Sequence, residues 1–194
     1  MPFDPSRLTY DRDAARSRLL TLVRERAYKD GVDIVLASGK RSDFYINGKR
    51  ITLHPEGLFL FASLLLDDLE TIDGITAVGG MAIGADPISA AIATLSWLRD
   101  RPLDAFLVRK EAKGHGTGSR IEGELGPKSR VAIVEDTITT GGSSRKAIEA
   151  VRETGAEVVC VLALVDREDE DGESFRKEFD VRPIFKLSEL RGHA

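Results

Sequence analysis

"VAIVEDTITTGGSS", Val131–Ser144, is the stretch that decides the fold. Its apolar first half reads as a buried strand. That strand runs into two adjacent carboxylates, Glu135 and Asp136, and then into Thr137, Ile138, Thr139, Thr140, Gly141, Gly142, Ser143 and Ser144. The following "SSRKAIEAVRETG" has helical spacing and a stop at Gly155. Strand, glycine-rich loop and helix start therefore come in direct succession. Such a loop aims several backbone N–H groups at one point, and the helix dipole adds partial positive charge there. With the Thr and Ser hydroxyls this makes a phosphate cradle. A phosphate repels the two acids, so they need another partner: ribose hydroxyls, a metal, or a cation that develops during a reaction. Cradle and acids together read as a site for a ribose 5-phosphate. The plain alternative is a Ser/Thr helix cap with exposed acids at an ordinary turn. The loop is neither a G-x-x-x-x-G-K-[ST] sequence nor the dinucleotide G-x-G-x-x-G.

Working outward, the alternation continues. "ITAVGG", "PLDAFLVRK" and "EVVCVLALVDRE" read as strands, and "ADPISAAIATLSWLR" as a helix. Continuous apolar strands between helices predict an α/β fold with a parallel sheet covered on both faces. Ligands of such sheets bind beyond the carboxyl ends of the strands. Four strand ends, "VGGMAIGADP", "LVRKEAKGHG", "VEDTITTGGSS" and "LVDRED", are polar, charged or glycine-rich. Upstream, "DAARSRLLTLVRERAY" places Leu19, Leu20, Val23 and Ala27 on one helical face. "VDIVLASGKRSDFYINGK" predicts two short strands around a Ser-Gly-Lys turn. "PEGLFLFASLLLDDLE" predicts a helix from Pro55, with His54 at its start. Phe59, Phe61 and Trp97 are expected in the core. The first sixty and last twenty residues fit the alternation poorly and are expected to form a small cap.

The 194 residues suit a single domain. The net charge of −4 gives no electrostatic case for nucleic-acid binding. The single cysteine, Cys160, allows no disulfide within the chain and reads as a small buried hydrophobe. The polar, acid-bearing N-terminus does not read as a secretory signal, and no apolar run is long enough to span a bilayer. The expectation is a cytoplasmic protein with no membrane partner. Against this acidic background "VRKEAKGHGTGSR" gathers Arg109, Lys110, Lys113, His115 and Arg120, and five glycines lie between Gly114 and Gly126. A mobile cationic arm suits closure over a polyanion such as pyrophosphate. A solvated charged loop is the bland reading of the same residues.

These motifs resemble those of a known family. "VAIVEDTITTGGSS" resembles the 5-phosphoribosyl-1-pyrophosphate (PRPP) signature of the type I phosphoribosyltransferases. The resemblance implies that Glu135 and Asp136 meet the ribose hydroxyls and that Thr137, Ile138, Thr139, Thr140, Gly141, Gly142 and Ser143 form the 5-phosphate loop. "RKEAKxHG" resembles the mobile catalytic loop of the orotate phosphoribosyltransferases. It implies contacts of Arg109, Lys110, Lys113 and His115 with pyrophosphate, Lys113 and His115 acting on the leaving group. "SGKRSDFYINGK" resembles that family's hood, where backbone at Tyr45 and Ile46 meets the pyrimidine. "LVDRED" supplies Arg167 for the orotate carboxylate, whose shape a guanidinium fork matches. Thr139 matches the position that touches the orotate ring. The resemblance spans roughly residues 10 to 190. It implies a type I phosphoribosyltransferase fold across residues 1–194, with a hood from about 1–55 and a mobile loop at about 109–125. Two positions depart from the pattern: Ala37 and Ile83 stand where many members carry lysine.

The implied reaction joins orotate N1 to C1 of PRPP, giving orotidine 5′-monophosphate and pyrophosphate. Glu135 and Asp136 face the positive charge that builds on the ribose. Mg²⁺ is the implied cofactor, carried mainly by substrate and water rather than by protein ligands. A homodimer sharing the mobile loop is the implied assembly. Other bases remain possible acceptors for the cradle alone, but the arm, the hood and Arg167 favour orotate over a purine, which has no carboxylate. A regulatory nucleotide-binding protein on the same fold is the remaining rival.

Overall fold

The computed structural model describes residues 10–35, 41–111 and 119–192. Helix α1 (Arg12–Leu22) widens through one turn, Val23–Ala27, into β1 (Tyr28–Val35) and β2 (Arg41–Ile46). A short α2 (Lys49–Thr52) and a long α3 (Pro55–Glu70) come after the hairpin. Next are β3 (Ala77–Met81), α4 (Asp86–Leu98), β4 (Asp104–Val108), β5 (Ile121–Glu122) and β6 (Arg130–Ile138). The chain continues through α5 (Gly142–Arg152), β7 (Glu157–Asp166), α6 (Glu173–Glu178), β8 (Val181–Lys186) and α7 (Leu187–Leu190).

Six strands form the main sheet in the order β5-β4-β3-β6-β7-β8. All neighbours are parallel except β4 and β5. Strand β6 lies between β3 and β7. Its alternate side chains serve two separate cores, because successive residues of a strand point to opposite faces. Ala132 and Val134 join the core built with α1, α3 and α4. Val131 and Ile133 join the core built with α5 and α6. Burial on both faces is why the strand is apolar throughout instead of alternating. Strands β1 and β2 pair antiparallel as a separate two-stranded sheet.

Several expectations need correction. The last twenty residues are not simply a cap: Val181–Lys186 is the edge strand beside β7, and only the segment after that strand reaches back to the hairpin, where Arg191 Nη2 donates to Asp43 at 2.7 Å. Strand β6 does not end at the acids but runs on to Ile138. Trp97 is not core; it is 71% exposed, because Ile88, Ile92, Leu95 and Ser96 take the inward positions of α4. Phe61 is fully buried while Phe59 is only half-buried. The stretch read as one long loop contains the two-residue strand β5. Cys160 is buried as expected, and burial pushes its thiol up to about 11. Among the described residues no helix is long and apolar enough to cross a membrane.

Polar contacts fix the N-terminal helix, and with it the hairpin that comes next. The Tyr10 hydroxyl donates to Asp67 at 2.5 Å, and Arg12 and Arg99 donate to the same carboxylate at 3.0 and 2.7 Å. One acid of α3 thereby ties α1 to the end of α4. His54 caps α3, its Nδ1 accepting from Gly57 N at 3.1 Å.

Candidate active site

The site is built at the carboxyl ends of β6 and β7. Glu135 and Asp136 are 8% and 7% exposed. Adjacent strand residues point to opposite faces, so each acid meets a different neighbour. The loop after β3 passes Glu135 so closely that a Cβ on Gly84 would stand 3.0 Å from its Oε1. Asp136 meets the hairpin side: Lys49 Nζ donates to its Oδ2 at 3.2 Å. The backbone at Gly48 lies directly on it, since a Cβ there would come within 2.7 Å of the Asp136 Cβ. Any larger residue at 48 pushes α2 and its lysine off the acid.

Two carboxylates in a dry strand end cannot both ionise at ordinary cost. Burial, then the charge of Asp136, pushes Glu135 up to about 8; the nearby Lys49 opposes the shift. Ligand-free, Glu135 therefore keeps its proton well above the usual carboxylate range.

Beyond the acids the chain turns into α5. Gly141 takes φ +78°, a left-handed conformation open to glycine at no steric cost. A Cβ there would also stand 2.2 Å from Phe175 Cγ. No side chain caps α5. Gly142 and Ser143 are exposed at its first turn. The Thr140 hydroxyl accepts from Gly142 N at 3.3 Å, and Thr139 and Thr140 line the approach. The remaining first-turn amides, the hydroxyls and the helix dipole suit an anion. Ile138 contributes backbone only: its side chain is core, and its carbonyl accepts from Arg167 N at 3.0 Å. The Thr137 hydroxyl is buried without a hydrogen-bond partner among the described residues.

Strand β7 delivers Arg167. Asp166, 2% exposed, organises the turn by accepting from Glu168 N at 2.9 Å and Arg176 Nη1 at 3.1 Å. The Arg167 side chain is 6% exposed and lies against the hairpin, with Cζ 4.5 Å from the Phe44 ring centroid. Next to Phe44, Tyr45 is exposed, whereas the Ile46 side chain is buried in the core. The hairpin and α2 thus cover both strand ends, Asp136 through Gly48 and Lys49, Arg167 through Phe44.

The base of the basic arm is a short ladder between β4 and β5, and there Arg109 pairs with Glu122 at 3.1 Å. Lys110 is exposed. Lys113 and His115 lie outside the described residues, as does Ala37. Ile83 is 74% exposed on the loop that passes Glu135. Sequence reasoning missed Gly48, Lys49 and Phe44. The adjacent Gly-Lys directly after the hood strand was the available signal for the first two.

No protein-family model matches the chain. Individual relatives do. The orotate phosphoribosyltransferase of Bradyrhizobium diazoefficiens is 45% identical over 184 residues, 92% of this chain and 97% of that protein. The chain belongs to the orotate phosphoribosyltransferase family. Among solved structures, the Mycobacterium tuberculosis H37Rv orotate phosphoribosyltransferase in complex with Fe(III) dicitrate superposes with a TM-score of 0.78 at 38% identity, covering 91% of this chain and 98% of that one. The same enzyme in complex with PRPP gives 0.73 at 35% identity, covering 91% and 99%. The parallel sheet and the hairpin above it are therefore the architecture of this family.

The proton on Glu135 has a measurable consequence. Its folded-state value lies above the ordinary carboxylate value, so between about 4.5 and about 8 the folded protein binds more protons than the unfolded chain. Stability from this group is intact below that window and is lost as pH rises through it. Glu135→Gln cannot ionise. In ligand-free protein its melting temperature should gain on wild type steadily from pH 5 to 8.5. A constant difference between the two across that range would show that Glu135 titrates normally.

Proposed function

We propose that this protein is an orotate phosphoribosyltransferase: it transfers the phosphoribosyl group of PRPP to orotate, giving orotidine 5′-monophosphate and pyrophosphate in pyrimidine biosynthesis. The observation that carries the reading is one juxtaposition. A buried acid pair, an uncapped helix start and a buried arginine meet at the ends of two neighbouring strands, in a member of this family. The 5-phosphate takes the amides and hydroxyls of Thr139–Ser143. The ribose hydroxyls take Asp136 and Glu135. Orotate lies under the hairpin at Tyr45 and Ile46, beside Thr139, with its carboxylate on Arg167.

In the reaction the C1–O bond to pyrophosphate breaks and its electron pair leaves on pyrophosphate. Positive charge builds on the ribose ring, the C1–N1 bond to orotate forms, and N1 gives up its proton to solvent. The acid pair faces that charge, so its interaction strengthens as the bond breaks. At the other end Arg109, Lys110, Lys113 and His115 neutralise pyrophosphate, Lys113 and His115 acting at the leaving oxygen. Among the described residues, no group of three or more His, Cys, Asp or Glu is placed to hold a metal. Mg²⁺ would be held mainly by substrate oxygens and water, with the carboxylate oxygens of Glu135 and Asp136 as the protein groups of suitable chemistry, and would supply charge neutralisation on the diphosphate. Residues 1–194 form a single phosphoribosyltransferase domain, with about 1–55 contributing the hood and about 109–125 the mobile catalytic loop.

The decisive assay tracks orotate ultraviolet absorbance with purified protein, PRPP and Mg²⁺. Wild type should consume orotate only when donor and metal are both present, with orotidylate recovered. Asp136→Asn should keep the fold and lose turnover by roughly a hundredfold or more, the range set by a lost charge-stabilising group. No consumption by wild type that still binds PRPP would reject orotate as the acceptor. Wild-type rates in the variant would remove Asp136 from the mechanism.

We also propose that the arm acts across a homodimer. Specific activity should then fall on dilution through the dimer dissociation range. Activity that stays flat well below that range would mean each protomer works alone.

A further inference from the structure

We propose that Phe44 is a positioning residue for Arg167: its ring packs against the guanidinium and competes with Asp169 for its orientation, so that the N–H donors can turn to the acceptor's carboxylate. The inference rests on the reading of Arg167 as the carboxylate-binding residue.

Phe44 belongs to the core between the hairpin and the body, with the Tyr28 ring 6.5 Å away. Its position is fixed by packing before any ligand arrives. The Arg167 guanidinium is 4.5 Å from its centroid. A second guanidinium, that of Arg191, is 4.9 Å from the same centroid, and Arg191 is held by Asp43 at 2.7 Å and Asp30 at 3.7 Å. The C-terminal end of the chain thus clamps the ring that Arg167 leans on.

The alternative partner for Arg167 is Asp169. Its Oδ2 lies 3.1 Å from Nε, yet Nε is buried without a hydrogen-bond partner among the described residues, so the pair is close but misaligned. A guanidinium turned fully onto Asp169 would spend its planar fork on the protein's own carboxylate. The contact with the Phe44 ring opposes that turn at little cost, because a cation–π contact need not use the N–H donors. A carboxylate approaching in the guanidinium plane can then be bound bidentately. The hairpin therefore does more than cover the acceptor: through Phe44 it orients the donors that read the acceptor's charge.

The test compares Phe44→Met, which fills the space without a ring, with Phe44→Tyr, which keeps the ring. Arg167→Ala serves as the control for the underlying reading. Phe44→Met should raise the KM for orotate about tenfold and leave the KM for PRPP unchanged. It should also shrink the preference for orotate over uracil, which lacks the carboxylate. Phe44→Tyr should restore both. If Arg167→Ala leaves the orotate requirement unchanged, the reading of Arg167 fails. If Arg167→Ala raises it and Phe44→Met does not, the role of Phe44 is overturned. A second measurement needs no Phe44 variant. In wild-type protein carrying 15N-arginine, the Arg167 Nε–H signal, identified by its loss in Arg167→Lys, should be ring-shifted and should move when orotate saturates the site. An ordinary arginine position, unmoved by orotate, overturns the proposal.

Discussion

Two adjacent carboxylates are buried near the end of the central strand, and much of the site arises from making that tolerable. Like charges in a dry setting force one acid to keep its proton. The other, Asp136, lies beside Lys49, which reaches it from α2. That lysine needs the chain to pass directly over Asp136, and Gly48 makes the approach possible. The hairpin and α2 are therefore seated on the sheet by the electrostatics of the acid pair as well as by apolar packing.

In the proposed reading the site divides its ligand by chemistry. Backbone amides at the helix start are the groups suited to the phosphate, which needs many donors and little specificity. The side-chain acids are those suited to the sugar hydroxyls, and the buried Arg167 to a planar carboxylate. Each device sits at the end of a different element, and the sheet register holds them together, with Ile138 opposite Asp166 in neighbouring strands. Backbone restraint serves the same end: Gly141 turns the chain into α5 against Phe175, and Asp166 braces the turn that carries Arg167.

Much of this was legible in the sequence because the core strands are apolar on both faces and each ends abruptly in polar residues. The succession Val131–Ser144 specifies strand, loop and helix with little ambiguity, and the acids stand out because buried strands rarely end so. Long-range partners were not legible. Lys49 lies 87 positions from Asp136, and nothing local in "NGKR" says which carboxylate it meets. Phe44 reads as one more strand aromatic until the fold lays Arg167 over it. Trp97 was misplaced because α4 is apolar nearly all round, so composition could not say which face turns outward. Strand β8 was missed because "VRPIFK" is short and carries a proline, which is tolerated at a sheet edge.

The most direct test of this division of labour is ligand binding without chemistry. Titration calorimetry would compare ribose 5-phosphate with inorganic phosphate, on wild type and on Asp136→Asn. Ribose 5-phosphate should bind wild type more tightly than phosphate does, and the substitution should weaken only the sugar phosphate. If both ligands bind equally, or both weaken alike, the acid pair does not read the ribose, and the cradle and the carboxylates are not parts of one site.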